Sequence, residues 1–183
     1  DVSDWFYLSS WKLSVVPDPY PTDTRFRYLI FVDFSGLGNR VADILEKDGN
    51  KVVRVLRSAD FVRQNENSCR INPNDREHYE KLLAQMRHPQ SRPLVVLDFW
   101  NLAEPEAQNS DAERRQSGSM MFIAQALGKN MPKTPVYLAV ISEELQNVSG
   151  REHIFPFPAA PLGLSSVISE EYPNIFCRTI DLE

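Results

Sequence analysis

Residues 28–47 read YLIFVDFSGLGNRVADILEK, and this stretch decides the fold. A largely apolar run from Tyr28 to Phe34 breaks at Ser35-Gly36-Leu37-Gly38. It gives way to helical spacing from Gly38 to Lys47, with Leu37, Val41, Ile44 and Leu45 on one stripe before Gly49 and Asn50 stop it. Continuous apolar runs, as opposed to alternating ones, mark strands buried on both faces, as in a parallel sheet covered by helices. Four more such runs follow, at Val52 to Leu56, Leu94 to Phe99, Val136 to Ile141 and Ile175 to Leu182. The third and fourth of the five are apolar on both faces and are expected at the centre. The last carries Arg178 and Asp181 and is expected at an edge or with one face half-solvated.

The intervals supply the helices. One opens at Asn72-Pro73-Asn74, with Asn74 the expected N-cap, Glu77 three residues on, and Tyr79, Leu82, Leu83 and Met86 on its core stripe. Another begins near Ser117 and carries Met120, Ile123, Ala124 and Leu127 before Gly128, and a last one holds Leu164, Val167, Ile168 and Glu171 before Pro173. The polar stretch Ala103 to Arg115 reads as a solvated loop, and His153 to Pro161 as an irregular apolar segment packed on the body. At 183 residues one domain over 1–183 is expected: an aromatic strand segment and Pro-rich linker over 1–21, then an α/β body over 22–183. Trp5, Phe6, Tyr7 and Trp11 in the first segment need cover, from this sheet or from another protein surface.

Composition narrows the function. A hydrophobic fraction of 42% and a charged fraction of 25% are those of an ordinary globular chain. Twenty Lys+Arg against twenty-five Asp+Glu leave a net charge of -5, with no field to gather nucleic acid. There is no membrane-length apolar run and no basic-then-apolar leader, so neither a membrane partner nor a signal peptide is expected. Cys69 and Cys177 form no CxxC or CxxH pattern, which fits a reducing cytoplasm and argues against a disulfide framework. His78, His88 and His153 are too scattered for a metal site and are expected to be exposed.

The glycines after the first run stand where a dinucleotide-binding fold keeps its phosphate cradle, but the pattern is degenerate. Set against the short-chain reductase pattern G-x-G-G-x-G, residues 33–38 place Asp33 at the first glycine and Ser35 at the second, leaving Gly36 and Gly38. A carboxylate about 4 Å from a phosphate at an effective dielectric of ~20 costs on the order of 4 kcal/mol, several hundredfold in affinity. Gly36 and Gly38 therefore read as a turn, and no cofactor is expected. Arg57 stands where an NADP enzyme would hold a 2′-phosphate, and reads as a solvated surface residue. No tyrosine is followed four residues on by lysine, as ketone reduction in this fold class requires, and Ser142, without such partners, reads as a loop residue. The adjacent pairs Glu143-Glu144 and Glu170-Glu171 diverge. No catalytic residue is expected.

Together these segments resemble the structural, non-catalytic subdomain of modular polyketide synthase ketoreductases, or a pseudo-ketoreductase, which implies a truncated Rossmann-like fold. The resemblance rests on Trp5-Phe6-Tyr7 with Trp11-Lys12, on Asp33 to Gly38, on Leu97-Asp98-Phe99-Trp100-Asn101-Leu102, on Gln125-Ala126-Leu127 and on Ala160-Pro161-Leu162-Gly163-Leu164. It continues through Glu171-Tyr172-Pro173 to Arg178-Thr179-Ile180-Asp181-Leu182. It implies a chain without cofactor or catalytic side chains that braces a downstream catalytic half, which reduces a carrier-bound β-ketoacyl group with NADPH. The expected partners are that half and neighbouring synthase domains, met through Trp5, Phe6, Tyr7 and Trp11. Two alternatives stay open: a free-standing NAD(P)-binding reductase with a degenerate cradle, and an independent interaction or dimerisation module.

Overall fold

The run at Tyr28 forms the central strand of a seven-stranded sheet ordered β3-β4-β2-β1-β5-β6-β7. In this computed structural model residues 11–14, 26–86, 92–102, 110–146, 148 and 160–182 are described, with the backbone alone for 110–117 and 160–161. The elements are β1 (Arg27–Phe31), α1 (Leu37–Lys47), β2 (Lys51–Arg57), β3 (Val62–Asn65), β4 (Ser68–Ile71), α2 (Arg76–Gln85), β5 (Leu94–Asp98), α3 (Ser110–Asn130), β6 (Val136–Glu143), α4 (Ala160–Glu171) and β7 (Ile175–Leu182). Every pairing is parallel except that of β3 with β4. The expected α/β class with a mainly parallel sheet holds, and β7 is indeed an edge strand.

The connections fix the layers. From β1 the chain steps one way to β2, whereas from β4 onward it steps the other way through β5, β6 and β7. Right-handed crossovers then put α1 on one face and α2, α3 and α4 on the opposite one. The two core clusters follow this division. The larger joins Tyr79, Leu82 and Leu83 of α2, Met120, Ile123 and Leu127 of α3 and Ile168 of α4 to Leu29, Val55, Val96 and Val140 of the sheet. The smaller gathers Ile30, Val32, Val52 and Ile141 under Ala42 of α1, with Leu37, Val41 and Leu45 packed against it.

Several expectations are corrected. The hairpin β3/β4 was not foreseen, because Val62-Arg63-Gln64-Asn65 is polar and β4 is only four residues long. β3 replaces the helix that would return the chain between β2 and β4. α3 begins at Ser110, so much of the stretch read as a loop is helical; Ala, Glu and Arg favour helix, but a turn polar all round carries no stripe. The N-cap of α2 is Asp75, whose carboxylate accepts from the Glu77 N–H at 2.9 Å, while the Asn72 side chain accepts from the Asn74 N–H in the preceding turn. Ile44 lies off the α1 stripe and is exposed, the small Ala42 taking the sheet-facing place. Tyr137 in β6 is 44% exposed, so that strand is not covered on both faces.

Gly128 sets the approach of α3 to α4. A Cβ there would stand 2.2 Å from the Tyr172 ring, far inside contact distance. Gly128→Ala is expected to destabilise the chain by about 1–2 kcal/mol in urea unfolding, the overpacking outweighing the gain in helix propensity.

Candidate functional site

β1 ends at the point where strand order reverses, between β2 and β5, which is where open α/β sheets form their ligand crevice. The Asp33 carboxylate sits over the N-terminus of α1. Its Oδ1 accepts from the Gly38 N–H at 2.7 Å, and its Oδ2 accepts from the Leu37 N–H at 3.3 Å and from the Ser35 hydroxyl. Burial pushes its pKa up, but these hydrogen bonds together outweigh that and hold the carboxyl below the usual range. Gly36 takes φ of 85°, the left-handed turn that lets α1 begin beneath the carboxylate.

The N–H groups at the start of α1 are engaged by the chain itself. A Cβ built on Gly38 would meet Asp33 Oδ1 at 3.1 Å and the Phe99 ring at 3.2 Å. Behind them the buried Trp100 donates its indole N–H to the Val32 carbonyl at 2.9 Å and lies edge-on to Phe31. These residues do not fit a dinucleotide: the helix N–H groups that would bind phosphate are already held by a carboxylate.

Arg57 corrects the sequence reading. It is not a solvated side chain: it donates from Nη2 to the Trp100 carbonyl at 2.7 Å, and its guanidinium lies 5.1 Å from the Trp100 ring and 5.4 Å from the Phe34 ring. It thus bridges β2 to the loop after β5 across the mouth of the crevice. Beneath it Asp98 is fully buried, accepting from the Trp100 N–H at 3.0 Å and the Asn101 amide at 2.9 Å. Burial pushes the Asp98 pKa up to about 6, against the pull of those two donors and of Arg57. In the sequence Asp98 and Phe99 read as the end of a buried strand, and Trp100 carries only the family resemblance. Their signal was an acid inside an apolar run, followed by two bulky aromatics where a loop was due.

The other candidates lie apart from this crevice. Ser142 is not in a loop: it is a buried residue of β6, and its hydroxyl donates to Asp181 Oδ1 at 2.7 Å. Asp181 Oδ2 in turn accepts the Leu145 and Gln146 N–H groups, so the serine helps to anchor the turn after β6. His78 is half-buried, not exposed; its Nδ1 accepts from the Asn72 N–H, and its ring lies beside Phe61. His88 and His153 lie outside the described residues, as do Trp5, Phe6 and Tyr7. Trp11 is described and is 56% exposed. Burial pushes the Cys69 thiol up and the Cys177 thiol to about 11, so neither is an activated nucleophile. Among the described residues no group of three His, Cys, Asp or Glu converges as metal ligands, and no helix is long and apolar enough to cross a membrane.

A family model described as beta-ketoacyl synthase-like, N-terminal, matches residues 28–183. No protein of curated description matches the sequence. Among solved structures, the chain superposes on an adenylation, ketoreductase and pseudo Asub multidomain structure of a keto acid-selecting NRPS module. That match has a TM-score of 0.72 at 22% identity, over 91% of this chain and 14% of that one. An N-terminal ketoreductase from the macrolactin assembly line gives 0.64 at 19%, over 88% and 33%. A Brucella ovis oxidoreductase of the short-chain dehydrogenase/reductase family, in complex with a partially ordered NAD, gives 0.60 at 12%, over 87% and 83%. These likenesses show the fold, which is Rossmann-like, and the chain spans only a fraction of the first two structures.

Two acids give opposite pH signatures. The folded-state pKa of Asp33 is lowered, so its contribution is present above the unfolded value near 4 and is lost as pH falls through the folded one. Asp33→Ala is expected to cost about 2 kcal/mol in urea unfolding at pH 7, and less below pH ~4. The folded-state pKa of Asp98 is raised, so its protonation stabilises the fold at low pH and that gain is lost as pH rises through about 6. Asp98→Asn is expected to unfold at higher urea than the parent at pH 7.5, by on the order of 1–3 kcal/mol, with the gap closing toward pH ~4.

Proposed function

Because the chain belongs to the beta-ketoacyl synthase-like, N-terminal family, we propose that it is the non-catalytic structural half of a polyketide-type ketoreductase. In this reading residues 1–183 form one cytoplasmic unit that binds no cofactor and braces a catalytic half, which reduces a carrier-bound β-ketoacyl group with NADPH. The observation that supports the reading is the helix N-terminus already engaged by the chain's own carboxylate. Asp33 holds the N–H groups of α1, Phe99 lies against Gly38, and Arg57 lies across the mouth onto Trp100. A reductase needs those N–H groups for its nucleotide, whereas a brace gains from packed side chains. The described helices α1 and α4 also carry no tyrosine, so neither supplies the tyrosine acid that ketone reduction in this fold uses.

The N-terminal segment supports a role in contact. Trp11 and Leu13 are 56% and 97% exposed, and an apolar pair in that state fits a neighbouring domain. Trp5, Phe6 and Tyr7 belong to the same proposed contact.

Titrating NADPH against the chain while following nicotinamide fluorescence tests the reading. No saturation is expected below about 1 mM, because like-charge repulsion removes several hundredfold from an ordinary micromolar affinity. Micromolar binding would overturn the brace and favour a free-standing reductase.

A further inference from the structure

Asp98 and Asn101 stand together, both buried, where β5 gives way to its loop. Asp98 Oδ2 accepts from the Asn101 side-chain NH2 at 2.9 Å, and Oδ1 accepts from the Trp100 N–H at 3.0 Å. On the other side of the same amide, the buried Asn101 Oδ1 has no hydrogen-bond partner among the described residues. Nothing described there pins the amide, so Asp98 sets which way it faces. A carboxylate only accepts hydrogen bonds, whereas a carboxylic acid also donates one, and an amide can answer either with its NH2 or with its oxygen.

A proton on Asp98 Oδ2 reverses the match. The new O–H meets the Asn101 NH2 donor to donor, and half a turn of the amide about its last side-chain bond brings Oδ1 round to accept. No backbone movement is needed, and the Trp100 N–H keeps its acceptor on Oδ1 of the acid.

The surroundings bring that proton within reach of neutral pH. Phe31 of β1 and Val140 of β6 flank Asp98 in the sheet and offer no charge. Arg57 of β2 favours the carboxylate. Tyr79 of α2 and Cys177 of β7 face it as well, and burial, reinforced by the charge of Asp98, keeps both protonated. α3 adds the uncharged Ser119, hydrogen-bonded to Tyr79. Burial outweighs the two donors and Arg57, and the acid takes up its proton at about pH 6, where neither Tyr79 nor Cys177 changes charge.

We propose that Asp98 and Asn101 form a protonation switch, in which the amide presents its NH2 to the ionised acid and its carbonyl oxygen to the protonated one. The switch belongs to the loop itself and does not depend on the chain acting as a brace. It reaches the mouth of the crevice through charge: a protonated Asp98 no longer attracts the Arg57 guanidinium, which is held on the Trp100 carbonyl of the same loop.

The intact, isotope-labelled chain is titrated from about pH 8 to about pH 5 while NMR follows the Asp98 carboxyl carbon and the Asn101 side-chain carbonyl carbon and NH2 signals. The Asp98 carbon is expected to titrate near pH 6. Over the same range the Asn101 carbonyl carbon is expected to move downfield as it begins to accept, and the NH2 signals to share the midpoint. In Asp98→Asn the Asn101 signals are expected to lose this response. An Asp98 carbon that titrates while the Asn101 carbonyl stays in place overturns the switch. So does an Asp98 that holds one state across the range, or an Asn101 response that persists in Asp98→Asn.

Discussion

A single carboxylate organises the turn on which the rest of the molecule depends. Asp33 leaves β1 and accepts the first free N–H groups of α1, so strand and helix are joined through a charge as well as through a peptide chain. A helix N-terminus presents a partial positive charge and unpaired donors, and in this topology an anion is what completes it. Here the anion is covalently part of the chain. The left-handed turn at Gly36, the absence of a side chain at Gly38 and the placement of Phe99 all follow from fitting that carboxylate in a small space.

The same economy extends across the crevice. Trp100 packs within the larger core against Phe31 of β1, Arg57 lies over it, and Asp98 fixes the backbone of the loop that carries it. This loop follows β5, the strand beside β1 at the order reversal, so its contents decide whether the crevice is open or filled. The fully buried acid is tolerated because two donors and a nearby guanidinium face it, and its elevated pKa is the remaining cost.

The sequence made the parallel body legible because buried strands write continuous apolar runs, and the five long ones all stand as strands in order. The core stripes of α2 and α3 were legible for the same reason. What stayed hidden was either short or polar: β3 and β4 bury little, and the first turns of α3 show no face. At the crevice, the degeneracy of the glycine turn was readable from Asp33 and Ser35. That Asp33 caps α1 was not, because a charge in a turn looks the same whether it repels a ligand or replaces one. Arg57 looks solvated in the sequence because its partners, Trp100 in the loop after β5 and Phe34 in the turn after β1, are distant from it along the chain. The family resemblance drawn from scattered short motifs is borne out by the family match and the fold.

The hairpin at β3 and β4 bears on how the chain assembles. Arg54 pairs with Ser68 across a short return, whereas Arg27 must find Leu94 and Val136 must find Ile175 over much longer loops. Loop-closure entropy grows with separation, so the corner around β2 and β4 can zip before the remaining strands are gathered. Substituting a strand for a crossover helix thus gives this truncated sheet a local starting point for growth, with the edge at β7 among the last pieces to dock.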